Sequence, residues 1–114
     1  MKNIFTATLL LISSFLLAQE GNASFYHDKY QGKRTSNGSI FNQKNYTCAS
    51  GPKYKLGTKL QITNITNNKS VIVKVTDRGK GIIGNRLDLS KVAFKEIADL
   101  KQGVVKIFIK VLQE

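Results

Sequence analysis

Residues 71–81 read VIVKVTDRGKG. Val71, Val73 and Val75 alternate with Ile72 and Lys74, the period-two pattern of a strand with one buried face. The run ends in Asp77, and Arg78 and Gly79 follow at once. Reading backwards from Asp77, the next carboxylate is Asp28; residues 29–76 carry lysines and arginines but no acid. An isolated carboxylate between a strand and a glycine-rich loop (Gly79, Gly81, Gly84) occupies the kind of position where function concentrates.

Working outward, Thr58–Asn64 (TKLQITN) reads as a strand with Leu60 and Ile62 on one face. With Ser70–Val75 it forms a hairpin across the turn ITNNK. Gly21–Tyr26 and Tyr46–Ser50 are shorter β-type runs, and Val104–Leu112 alternates Val105, Ile107, Ile109 and Val111 against Lys106 and Lys110. One helix is expected over Ser90–Leu100, with Ser90 as N-cap, Ala93, Ile97 and Leu100 on one face, and Gly103 closing it. Residues 27–45 form a turn-rich connection too long for a simple hairpin loop, and loops of that length are usually functional. The chain is therefore mainly β with one short helix, and closure into a small barrel removes its sheet edges.

The chain is 114 residues long. Residues 1–19 carry Lys2, an apolar run from Ile4 to Ala18 and then a polar step, the plan of a signal peptide. The run is shorter than the ~20 apolar residues of a membrane span, so an exported domain over residues 20–114 without a membrane anchor is expected. The single cysteine, Cys48, excludes an internal disulfide, so an efficient core has to hold the fold. With 18 basic against 7 acidic residues, the net charge of +11 attracts polyanions. Outside the cytoplasm these include anionic wall polymers; the alternative is that scattered lysines only confer solubility.

Few groups are available for chemistry. His27 is the only histidine, and with Cys48 alone it makes no metal-ligand pattern, so neither a metal nor a cofactor is expected. No strand-to-helix phosphate loop and no aromatic RNA-recognition pattern is present, which argues against a specific nucleic-acid partner. Among the acids, Glu20 and Glu114 lie at the ends and Glu96 and Asp99 on the helix, which leaves Asp28, Asp77 and Asp88. Asp77 is the leading candidate; Asp88 reads as structural support for the helix start. Asp77 has a purely structural alternative as well. In a Thr-Asp-Arg-Gly turn it would accept backbone N–H bonds, or pair with Arg78 or Arg86.

Several stretches in one order carry a resemblance: GNASFY (21–26), GKRTSNGSIFN (32–42), LGTKLQITN (56–64), NNKSVIVKVTDRG (67–79), GNRLDLSKVAF (84–94) and GVVKIFIKV (103–111). Together they resemble the RlpA-like lytic transglycosylase domain over nearly all of the chain beyond the leader. The resemblance implies a six-stranded double-psi β-barrel, also found in expansins. It implies cleavage of peptidoglycan glycan strands without water, leaving 1,6-anhydro ends; the protein itself is expected to be a monomer. It makes Asp77 catalytic and places Tyr26, Thr35, Asn37, Ser39, Ser50 and Arg78 along the substrate path. Where the family pattern has a glutamate after Asn-Gly, this chain has Ser39; where it has a histidine after a Thr-Ala-Ala type run, this chain has Ser50. A serine hydroxyl is no acid near pH 7, so of the presumed catalytic set Asp77 alone is kept. The alternatives are an expansin-like wall-binding or wall-loosening module without cleavage, and a basic binding protein for another polyanion such as nucleic acid.

Overall fold

The computed structural model describes residues 18–114. The predicted leader lies outside the described residues, save that Ala18 and Gln19 are seen. The elements run β1 (Gln19–Phe25), β2 (Thr47–Ser50), β3 (Lys59–Asn64), β4 (Ser70–Arg78), β5 (Arg86–Leu89), α1 (Lys91–Ile97) and β6 (Val105–Gln113), with short 3-10 turns at Asp28–Tyr30 and Leu100–Gln102. The first strand thus begins one residue before the expected domain boundary.

The six strands close into a barrel in the order β1-β5-β2-β4-β3-β6. The expected hairpin is the antiparallel β3–β4 pair, with Leu60 opposite Val73 and Ile62 opposite Val71. Two pairs are parallel, β1 with β5 and β2 with β4. Inward-facing Cys48, Leu60, Ile62, Val73, Val75 and Leu87 fill the interior, and Phe94 and Ile97 of α1 extend that core. This is the mainly-β closed barrel with a single α-helix that the strand pattern predicts.

Three differences from the sequence reading matter. The strand β5 was not marked by its pattern: at four residues it offers only Leu87 and Leu89 as an alternating pair. The strand β4 does not stop at Val75 but continues through Asp77 and Arg78. And Ser90, the N-cap by position, makes no side-chain cap bond. Instead Gln43 Oε1 accepts from Lys91 N at 2.8 Å and the Gln43 carbonyl accepts from Val92 N at 3.2 Å. The long loop, reaching across, caps the helix.

The alternation in β4 raises a problem that a bulge solves. Val71, Val73 and Val75 point into the core, so strict period two would aim Asp77 inward as well. The pairing with β2 shifts register between Cys48, opposite Val75, and Ala49, opposite Asp77. Thr76 is the extra residue. A bulge re-aims the side chains that follow it, and here it turns a carboxylate out of the core.

Candidate functional site

Past the bulge, register sets a row across four strands. Ala49 pairs with Asp77 of β4 on one side and with Asp88 of β5 on the other, and Ser24 of β1 pairs with Asp88. Paired residues face the same side of a sheet, so Ser24, Asp88, Ala49 and Asp77 stand in line. All four line one open cavity of about 470 Å³, which Tyr26, His27, Tyr30, Arg78 and Arg86 also help to wall. That volume lies within the range of ordinary ligand clefts. Two carboxylates separated by the small side chain of Ala49 thus share one groove, about 10 Å apart at Cα from two strand spacings.

Hydrogen bonds fix Asp77 from three directions. Tyr26 Oη donates to Oδ2 at 2.8 Å. Oδ1 accepts from Ser36 N at 3.0 Å, Ser36 Oγ at 2.7 Å and Arg78 N at 2.9 Å. Oδ1 is saturated, whereas Oδ2 has one donor and keeps a lone pair for another partner. Tyr26 is a dependable donor, because burial, and next the Asp77 hydrogen bond, push its phenol far above the ordinary range. Its ring stacks on Phe41, with centroids 4.1 Å apart, in a small apolar cluster with Ala49 and Ile82. Tight packing holds the next loop over this cluster: a Cβ on Gly51 would lie 2.6 Å from the carbonyl oxygen of Ile82.

The Arg78 contact with Asp77 is through the backbone; its Nη1 donates to Ser50 Oγ at 3.1 Å. Among the described residues the ion pair is Lys91 with Asp28, at 2.8 Å. The structural alternative considered from sequence is thus met in its backbone part, since Ser36 N and Arg78 N donate to Asp77, and not in its ionic part: neither Arg78 nor Arg86 pairs with it, although both line the groove.

The predicted site residues separate into three places. Tyr26, Asp77 and Arg78 meet in the groove. Thr35, Asn37 and Ser39 line a second cavity of about 200 Å³, on the far side of the turn that presents Ser36 to Asp77. Ser50 was placed on the substrate path and is instead fully buried, so it bears on the groove only through Arg78. His27 lines the groove with Nδ1 accepting from Lys29 N at 3.0 Å. Asp88, read as helix support, accepts from Ser24 Oγ and faces the groove. Its position between Leu87 and Leu89, both buried, was the signal for an outward carboxylate. Ser36 carried no signal, since its role depends on a contact 41 residues away along the chain.

Residues 18–109 match the family model described as lytic transglycolase. The chain is 38% identical over 96 residues to the endolytic peptidoglycan transglycosylase RlpA of Pasteurella multocida (strain Pm70), covering 84% of this chain and 32% of that protein. It is 42% identical over 94 residues to the probable endolytic peptidoglycan transglycosylase RlpA of Aquifex aeolicus (strain VF5), covering 82% of this chain and 41% of that protein. The chain thus spans about a third to two-fifths of the length of these relatives. In fold it is similar to Streptomyces papain inhibitor, with a TM-score of 0.70 at 23% identity over 83% of this chain and 96% of that one. It is also similar to apo Clavibacter michiganensis expansin, with a TM-score of 0.68 at 24% identity over 85% of this chain and 51% of that one. At those identities the likeness speaks to the barrel alone.

Proposed function

The chain belongs to the lytic transglycolase family, and from that premise we propose that it is an exported peptidoglycan lytic transglycosylase, cutting glycan strands in the groove that holds Asp77. The observation that carries this reading is the placement of Asp77. A bulge turns it outward, Oδ1 is anchored by three donors while Oδ2 has one, and the residue lines a cavity of sugar-binding size.

The reaction needs a proton moved twice at one place. A protonated Asp77 Oδ2 gives its proton to the glycosidic oxygen as the bond to the anomeric carbon breaks, and the leaving sugar departs as an alcohol. The anomeric carbon becomes electron-poor, and the groove's second carboxylate, Asp88, stabilises that charge. The 6-hydroxyl of the same sugar then attacks the anomeric carbon and returns its proton to Asp77. Water is not consumed, and the product carries a 1,6-anhydro ring. The apolar support of Tyr26 and Phe41 keeps the wall of the site rigid during both transfers.

Digestion of purified sacculi tests this reading. Release of 1,6-anhydro ends, detected by mass spectrometry, is expected from the protein, and Asp77→Asn lowers the rate about 10²–10⁴-fold, the usual contribution of a general acid. Reducing ends without anhydro sugars would overturn it. A second reading, an expansin-like wall module that binds without cleaving, is favoured by Ser39 and by the buried Ser50, which stand at the family's glutamate and histidine positions. It predicts salt-sensitive retention on sacculi with no new ends.

A further inference from the structure

The second cavity lies beyond the Thr35–Ser39 turn, away from the Asp77 groove, and its walls include no acidic residue. The hydroxyl hydrogens of Thr35 and Ser39 are spent on Asn37, which leaves the Asn37 amide and Lys74 as the donors toward this cavity. Asn37 Oδ1 accepts from Thr35 Oγ1 at 2.7 Å, Ser39 N at 3.0 Å and Ser39 Oγ at 2.6 Å. With the carbonyl oxygen so occupied, the amide NH2 of Asn37 is left to donate elsewhere. Lys74 of β4 lines the same cavity and stands directly opposite Lys59 of β3. Facing like charges on neighbouring strands destabilise a sheet, yet no carboxylate relieves them. On β6, Gln113 stands opposite Lys59. Among the described residues the ion pair is Lys91 with Asp28, so neither Glu114, which follows Gln113, nor Glu20 on β1 pairs with Lys59 or Lys74; Glu96 accepts from Tyr46, Asp99 caps a 3-10 turn, and Asp77 and Asp88 lie in the groove.

Lys74 is three residues before Asp77 on one strand, about 10 Å at the strand rise. The N–H of Asn37 is tied to the Thr76 carbonyl between them, at 3.0 Å. A polymer that leaves the groove at its β4 end reaches this cavity by crossing the Thr35–Ser39 turn.

We infer that the cavity walled by Asn37 and Lys74, with Lys59 across from Lys74, is an anion subsite that takes a carboxylate carried by the glycan strand. The inference rests on the glycan reading of the groove. Two sources share the chemistry: the lactyl carboxylate of a peptide-free sugar, or a carboxylate of an attached stem peptide.

The test is binding by the full domain carrying Asp77→Asn, with and without Lys74→Gln or Lys59→Gln, to three polymers: peptide-free glycan, peptide-bearing glycan and neutral chitin oligosaccharides. Losing one charge-assisted hydrogen bond weakens acidic-glycan binding about tenfold, while chitin binding is unchanged. A loss confined to peptide-free glycan assigns the lactyl group, and a loss confined to peptide-bearing glycan assigns the stem peptide. Melting temperatures of both lysine variants stay at or above that of the unmodified domain, since each removes a repulsion. Acidic glycan bound as tightly by both variants as by the parent overturns the subsite alone. A parent protein that binds none of the three polymers overturns the glycan reading as well.

Discussion

At the scale of single residues, the two oxygens of Asp77 are held unequally, and that inequality is testable. Removing the Ser36 hydroxyl leaves Oδ1 with two donors, Ser36 N and Arg78 N. Removing the Tyr26 hydroxyl leaves Oδ2 with none from the protein. Asp77 becomes a carboxylate as its proton leaves, and a hydrogen bond to a charged group is worth about 1.5–3 kcal/mol, so Tyr26→Phe lowers kcat at least about tenfold. The loss in Ser36→Ala is smaller, and Ser36→Thr restores it. Turnover of sacculi at saturating substrate checks the order; equal rates for Tyr26→Phe and the unmodified protein would sever Tyr26 from the chemistry. Asp77 was legible in sequence because it is an isolated acid at the end of an alternating run. Its partners were not, because they come from the middle of a long loop and from the residue just past β1, 41 and 51 residues away. Ser50 misled for the opposite reason: a motif position says which residue it is but not how deep it lies, and this one is sealed beneath Arg78.

At the scale of elements, α1 shows how a local rule can name the right residue and the wrong bond. Ser90 has the extended backbone of an N-cap, but its hydroxyl is buried without a partner. The capping work falls to Gln43, whose Nε2 also donates to the Tyr26 carbonyl at 2.8 Å. One side chain thus ties the helix start to the residue that holds Asp77. Losing a true cap costs about 0.5–2 kcal/mol, whereas removing an unpaired buried hydroxyl costs little. Gln43→Ala therefore lowers stability in a denaturant titration by about 1 kcal/mol or more, and Ser90→Ala leaves it unchanged or raises it. A larger loss for Ser90→Ala would reverse the assignment. The bulge at Thr76 has a similar logic. Deleting Thr76 leaves Asp77 directly after inward-facing Val75 and so still outward, but removes the carbonyl that accepts from Asn37 N; cleavage of sacculi falls because the turn that presents Ser36 to Asp77 loses its anchor, while the barrel keeps most of its stability. Neither device is written in a local period: a cap from a distant loop and a register shift are both settled by the partner strand or helix.

At the scale of the whole molecule, the hairpin β3–β4 and the last strand were legible because their alternation is long and clean. The closed order was not, since it depends on two parallel pairings, β1 with β5 and β2 with β4, whose partners are far apart in sequence. Closure has a consequence that can be measured at Cys48, which is fully enclosed. Burial, and then the field of Asp88, push its thiol far above its ordinary value of 9.0. In the folded barrel the proton stays on, while in the unfolded chain it leaves as pH rises past about 9. Unfolding then releases a proton, so the contribution of Cys48 is complete below that pH and declines above it. Thermal melts of the unmodified protein consequently fall between pH 9 and 11 more steeply than those of Cys48→Ala, after allowance for the cavity that the substitution leaves. The same enclosure keeps the thiol from reagent. Labelling at pH 8 is slow in native buffer and rises with denaturant in step with the loss of circular dichroism. Rapid labelling of the native protein would mean that the barrel opens at β2, beside the strand end that carries Ala49 and the groove floor.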